Sequence, residues 1–269
     1  MTEFRDQDLS GATFDHVLLR GARIHDADLS GVEFRKVDLV GARFRNVDLC
    51  DTRLRGVLLG RVEIDGEIED LTINGVDVGP LIEAELDRRE PERAKMRPTD
   101  PEGFREAWTV LERLWDGTVA RARTFRPEQL HESVDDEWSF IQTLRHLVYA
   151  TDVWVNRVVL GDPLPFDALS LPFDEAEPHP DVPWDREARP SLDVVLALRA
   201  DRWATVRRVL DELTPERLEG HTEPVDGPGW PPPDAYPVRE ALLTVLNEEW
   251  HHRKFAERDL SVLEQRAAG

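Results

Sequence analysis

From Phe4 to Ile64 an aliphatic or aromatic residue returns at every fifth position without a miss: Phe4, Leu9, Phe14, Leu19, Ile24, Leu29, Phe34, Leu39, Phe44, Leu49, Leu54, Leu59 and Ile64. A small or β-branched residue stands two positions before most of them, as Ala12, Ala22, Val32, Ala42 and Val57 do. In extended backbone, residues i and i−2 share a side, whereas a five-residue period fits neither a helix nor a flat strand. Each repeat must contain a turn, and the chain must coil. Small residues at i−2 and large ones at i then fill a narrow solenoid core, with the charged residues between them facing water.

The motif A-x-L/F-x-x in Ala12-Thr13-Phe14, Ala22-Arg23-Ile24, Ala27-Asp28-Leu29 and Ala42-Arg43-Phe44 resembles the pentapeptide-repeat family. That resemblance implies a right-handed quadrilateral β-helix with four repeats to a square turn, so about three turns here. Some members of that family imitate the shape and charge of DNA and bind gyrase. Residues 1–80 carry 16 acidic and 10 basic side chains, a milder imbalance than the 39 and 24 of the remainder. The segment is therefore read as a scaffold, a cap on the next domain or a self-association module, the last of which would give a homodimer.

A chain of 269 residues has room for two domains, each with its own core. The net charge of −21 argues against nucleic-acid binding, which needs clustered Lys and Arg on the phosphates. No apolar run reaches the roughly 20 residues that cross a bilayer, and residues 1–9 are too acidic for a secretion signal. The expectation is a cytoplasmic protein without membrane contact. The single cysteine, Cys50, cannot form an internal disulfide and is placed at a repeat corner as an inert residue.

After Ile64 the period breaks, and Ile68, Leu71, Ile73, Val76 and Val78 suggest one or two closing strands with turns at Gly75 and Gly79. Pro80 suits the first position of a helix reaching Arg89. Residues 88–101, with Pro91, Pro98 and Pro101, read as a polar linker, which gives boundaries at 1–79, 80–100 and 101–269. The remainder reads as four helices: about 103–124, about 139–160 capped by Ser139, one following Pro190-Ser191, and one from Pro237. The fold class is thus β plus α in separate domains, the second a four-helix bundle. Two long proline-rich connections, 161–190 and 220–237, are of a length that usually serves as lids or binding walls. Trp184, Trp230 and Tyr236 are the aromatic residues placed in such a wall.

In the last helix Glu248 and His252 stand four residues apart, so their Cβ atoms lie roughly 5–6 Å from each other on one face. Val238, Ala241, Leu242, Val245, Phe255, Ala256 and Val262 extend that face as an apolar stripe. A carboxylate buried there needs a metal or a basic partner. His251 leaves the helix about 100° away and is read as solvated or at an interface. On the second helix His146 lies with Gln142, Tyr149, Ala150 and Val153 on a mostly uncharged face; alone, it reads as a core histidine.

Glu137-Trp138-Ser139, Leu144-Arg145-His146-Leu147, Trp154 and, a hundred residues on, His252-Arg253 together resemble the DinB-like four-helix family over about residues 100–263. That family includes metal-dependent thiol transferases and mycothiol-dependent maleylpyruvate isomerases. The resemblance implies a divalent metal held at three positions, here His146, Glu248 and His252, with glutamate at 248 where the family pattern has histidine. Two histidines and a carboxylate suit catalytic zinc, with iron or nickel as alternatives. The implied chemistry is activation of an external low-molecular-weight thiol toward an electrophilic substrate. Mycothiol is the first choice, ahead of glutathione or bacillithiol. Tyr149, Trp184, Trp230, Tyr236 and Arg253 are the expected substrate-binding residues; Arg253 or Arg145 either holds a carboxylate or forms a surface ion pair. The competing reading is a non-catalytic binding or scaffold protein that keeps the fold and a vestigial site.

Overall fold

The computed structural model describes residues 3–268 apart from 26, 45, 46, 65, 67 and 175, and divides into two compact units, Met1–Asp65 and Gly66–Gly269. In the first unit the turn demanded by the five-residue period is present. Asp6, Gly11, His16, Gly21, Gly31, Lys36, Gly41, Asp51, Gly56 and Arg61 all have φ between 50° and 78°. Alternate repeats close a β-turn, in which Ala12, Ala22, Val32, Ala42 and Thr52 donate to the carbonyls of Leu9, Leu19, Leu29, Leu39 and Leu49 at 2.9–3.2 Å. Glycine holds the third position of the first four because that position is left-handed. Asp8, Asp28, Asp38 and Asp48 brace the same corners, accepting the N–H two residues on at 2.8–3.0 Å.

The strands and stacked coils of the expected β-helix are not resolved in this unit. Among the described residues no strand precedes Thr72, and the repeats' central side chains are 43–66% exposed. The turns close through contacts within one repeat. Burying the central residues requires coils roughly twenty residues apart to stack, and that long-range step is what the structure lacks. Cys50 lies at a turn, as its position in the repeat suggested, and is exposed.

The second unit opens with a hairpin, β1 (Thr72–Ile73) and β2 (Val76–Asp77), turned by Asn74-Gly75. Helix α1 (Gly79–Arg89) follows, with Pro80 in its first turn. The stretch read as a linker is instead tied into this unit. Glu92 pairs with Arg113 and Glu90 with Lys254 from the helices that follow, and Met96 is buried.

Helix α2 (Pro101–Ala122) is capped by the Asp100 carboxylate, which accepts from the Gly103 N–H. Helix α3 (Phe140–Thr151) starts at a reciprocal capping box between Ser139 and Gln142, then continues as a π-helix through Val159. Helix α4 (Leu192–Asp211) is capped by Ser191; a short α5 (Pro215–Leu218) and the long α6 (Val238–Ala268) complete the chain. Helix α3 packs against α4 and α6, and α2 packs against the same two. Phe104, Trp108, Leu111, Leu210, Leu242 and Val245 fill one part of their core, and Trp115, Phe140, Leu144, Val195 and Leu260 another. No helix among the described residues is long and apolar enough to cross a membrane.

Candidate metal centre

The capping box fixes where α3 begins, and two turns later His146 is buried. Its Nδ1 lies 3.0 Å from the Leu171 carbonyl. A carbonyl only accepts, so in the neutral ring the proton sits on Nδ1 and Nε2 keeps its lone pair. From α6, His252 approaches the carbonyl of Glu248 through its own Nδ1 at 3.0 Å, leaving Nε2 as its basic nitrogen. The Glu248 carboxylate stands between the rings: Oε2 is 3.4 Å from His146 Nε2 and 3.2 Å from His252 Nδ1. Among the described residues these three are the one group of metal-ligating side chains whose donor atoms gather within 4.8 Å of one another.

Glu248 Oε2 is itself buried and has no well-aligned hydrogen-bond donor. Burial favours the protonated carboxyl, but the two adjacent imidazoles outweigh it and hold Glu248 below the usual carboxylate range. With His146 neutral and its proton on Nδ1, the Glu248 oxygen would face the lone pair of Nε2. Two acceptors at that separation need a positive charge between them, either a proton or a metal ion.

Aromatic rings surround the group. Trp138 lies 4.4 Å from the His146 ring and 6.1 Å from His252, and Tyr149 is 5.8 Å from His146. Trp184, from the connection over residues 161–190, packs edge-on to Tyr149 at 5.7 Å and to Phe166 at 5.3 Å. Burial pushes the Tyr149 phenol up, and its hydroxyl has no hydrogen-bond partner among the described residues.

The other predicted site residues lie elsewhere. Trp230 is 47% exposed and reaches this wall only by way of Phe173, 6.0 Å away. Tyr236 packs on Trp154 and donates to the Pro232 carbonyl at 2.7 Å. Arg253 is turned toward Thr118 and Glu257 and lines a separate cavity of about 290 Å³ with Trp250 and Leu114. Arg145 is not a surface residue. It is 1% exposed, and its guanidinium donates to the carbonyls of Leu169, Asp185, Arg186 and Ala188.

The apolar stripe of α6 also needs correction. Phe255 is 38% exposed and packs beside His252, and Val262 is only partly buried. The deeply buried carboxylate is Glu249, 1% exposed, which accepts from Arg199 at 2.9 Å and from the Trp203 indole at 3.1 Å. His251 is exposed. Trp138, Phe166 and Phe173 were not singled out as site residues. Trp138 had a usable signal, since it lies one residue before the Ser139 cap and so at the mouth of α3.

Two imidazoles and a carboxylate converging from two packed helices define a helical domain with a candidate metal site. Residues 110–256 match the DinB superfamily, and residues 2–35 and 18–56 match pentapeptide repeats in eight copies. The first match covers more than half of the chain, which belongs to the DinB superfamily and carries pentapeptide repeats at its N-terminus. No curated protein and no solved structure gave a significant match.

Proposed function

We propose that the helical domain is a metal-dependent thiol S-transferase or thiol-dependent isomerase that uses a low-molecular-weight thiol, mycothiol first, with zinc the preferred metal. The observation that carries this reading is the 3.4 Å approach of His146 Nε2 to the orphaned Glu248 Oε2. A bound divalent metal would draw a thiol sulfur toward its thiolate form at neutral pH. His146, Glu248 and His252 supply the protein ligands, and three such ligands leave a position open for an exogenous group. Trp138, Tyr149 and Trp184 limit water around that position, and the Tyr149 phenol is a protonated donor near the site. In this reading the reacting sulfur is the exogenous thiol's, which Cys50→Ser tests.

The same reading takes the helices as a DinB-like four-helix bundle. It also takes the repeats as a right-handed β-helix that acts as a scaffold or interaction module once its coils stack. The test is metal analysis of protein purified without chelator, followed by a screen of mycothiol, bacillithiol and glutathione consumption. The reading requires metal near one equivalent, lost in His146→Ala and Glu248→Ala, and thiol consumption that chelation stops. Metal retained in both variants refutes it.

A further inference from the structure

Among the described residues, two buried arginines, Arg145 and Arg157, have no carboxylate within ion-pair distance and donate to backbone carbonyls. Burial lowers the pKa of both. A guanidinium placed this way has a mechanical role, since its planar fork holds several acceptors in one geometry where an ammonium would hold fewer. Arg157 gathers the carbonyls of Pro163, Val225 and Gly227, and so ties the start of one long connection to the other. Arg145 does something different. Its Nε donates to Leu169 at 2.8 Å, and Nη1 reaches Ala188 at 2.7 Å and Arg186 at 3.2 Å, so it pins both ends of the loop whose middle carries Phe173, Val182 and Trp184.

The pinned stretch leads directly to the site. The main-chain carbonyl of Arg145 accepts from the Leu171 N–H at 3.2 Å, and the Leu171 carbonyl is the acceptor for His146 Nδ1. We propose that Arg145 is a positioning residue: by holding the 169–171 stretch through side chain and main chain it places the carbonyl that selects the His146 tautomer, and so keeps Nε2 free to bind. The proposal rests on the metal reading above for its consequence, though not for its geometry. A backbone carbonyl behind a ligating histidine sets both ring orientation and basicity, and loss of such a partner costs about 10–100-fold in metal affinity.

Arg145→Lys and Arg157→Lys separate positioning from plain loop support. Both should lower the melting temperature, because each strips hydrogen bonds from a buried loop. Only Arg145→Lys should alter the His146 ring, which nitrogen NMR reads as loss of the Nδ1–H held on the Leu171 carbonyl, and only it should weaken zinc binding, by about 10–100-fold in a chelator competition. A wild-type tautomer and unchanged zinc affinity in Arg145→Lys overturn the proposal, as does an equal effect of Arg157→Lys on the His146 ring. Should Arg145→Lys fail to fold, the wild-type spectrum still decides, since a His146 ring with no proton on Nδ1 contradicts the mechanism. If the wild type binds no zinc at all, the metal reading fails while the tautomer comparison still tests Arg145.

Discussion

Adjacent carboxylates on α6 should separate stability from binding. Glu249 is 1% exposed and shares its charge with Arg199 at 2.9 Å and the Trp203 indole at 3.1 Å, while the Arg199 guanidinium lies over the Trp115 and Trp203 rings at 4.8 and 5.2 Å. Glu249→Ala leaves a buried guanidinium whose Nη1 already has no acceptor. Removing one member of a buried pair costs about 3–5 kcal/mol, because the remaining charge keeps its desolvation penalty. For a unit of this size each kcal/mol moves the midpoint by about 2–4 °C, so melting should fall by on the order of 10 °C.

Replacing both partners, Arg199→Met with Glu249→Leu, removes the penalty with the attraction and should restore most of the loss. Glu248→Ala gives the contrast: it should abolish metal binding yet lower the melting of chelated protein by less than Glu249→Ala does, since the Glu248 side chain is 28% exposed against 1% for Glu249. Thermal and urea unfolding by circular dichroism, with metal content measured in parallel, read both. A loss below about 1 kcal/mol in Glu249→Ala, or a double variant no better than the single one, would refute the buried-pair account.

Metal affinity should fall as pH drops through roughly 6 to 5, where free histidine protonates. Glu248 stays ionised in that window because its pKa lies below the ordinary range, so a decline confined to more acidic pH would exclude the imidazoles as ligands. His252→Ala should lose most of the metal and His251→Ala little; the reverse result places the helix register one residue off. Phe34→Asp should abolish cooperative melting of the repeats if their coils stack, because it places a charge in the solenoid core, and an unchanged melt leaves Phe34 exposed as the structure has it. Cys50→Ser should leave thiol consumption intact, whereas activity lost with the fold preserved would move the reacting sulfur into the chain.

The features legible in the sequence were those decided by near neighbours. The five-residue period predicted one turn per repeat, and the left-handed residues fall at that spacing. Ser139 and Ser191 announced their helices because a cap needs only the N–H groups of the next turn. His146 with Glu248 and His252 could be proposed because helical spacing and a family likeness address the same positions.

The features that stayed hidden depend on partners that no local pattern marks. Glu248 and Glu249 are one residue, about 100°, apart on a helix with apolar neighbours on both sides. Only Arg199, fifty positions earlier on another helix, makes Glu249 the deeply buried one. The same holds for Arg145 and Arg157, whose partners are all backbone carbonyls, which every residue possesses and no side-chain pattern reveals. Beyond Thr151 the π-helix also departs from the 3.6-residue period, so a wheel drawn from α3 misplaces residues 152–159. That is where Asp152, fully buried and paired with Arg202 at 2.7 Å, escaped notice. Two of these residues, Arg145 and Asp152, hold Leu169 and Ser170 on the segment that orients the His146 ring. A site identified from its ligands alone therefore omits the groups that determine whether those ligands can bind, and Arg145 tests that directly because its guanidinium touches none of the three.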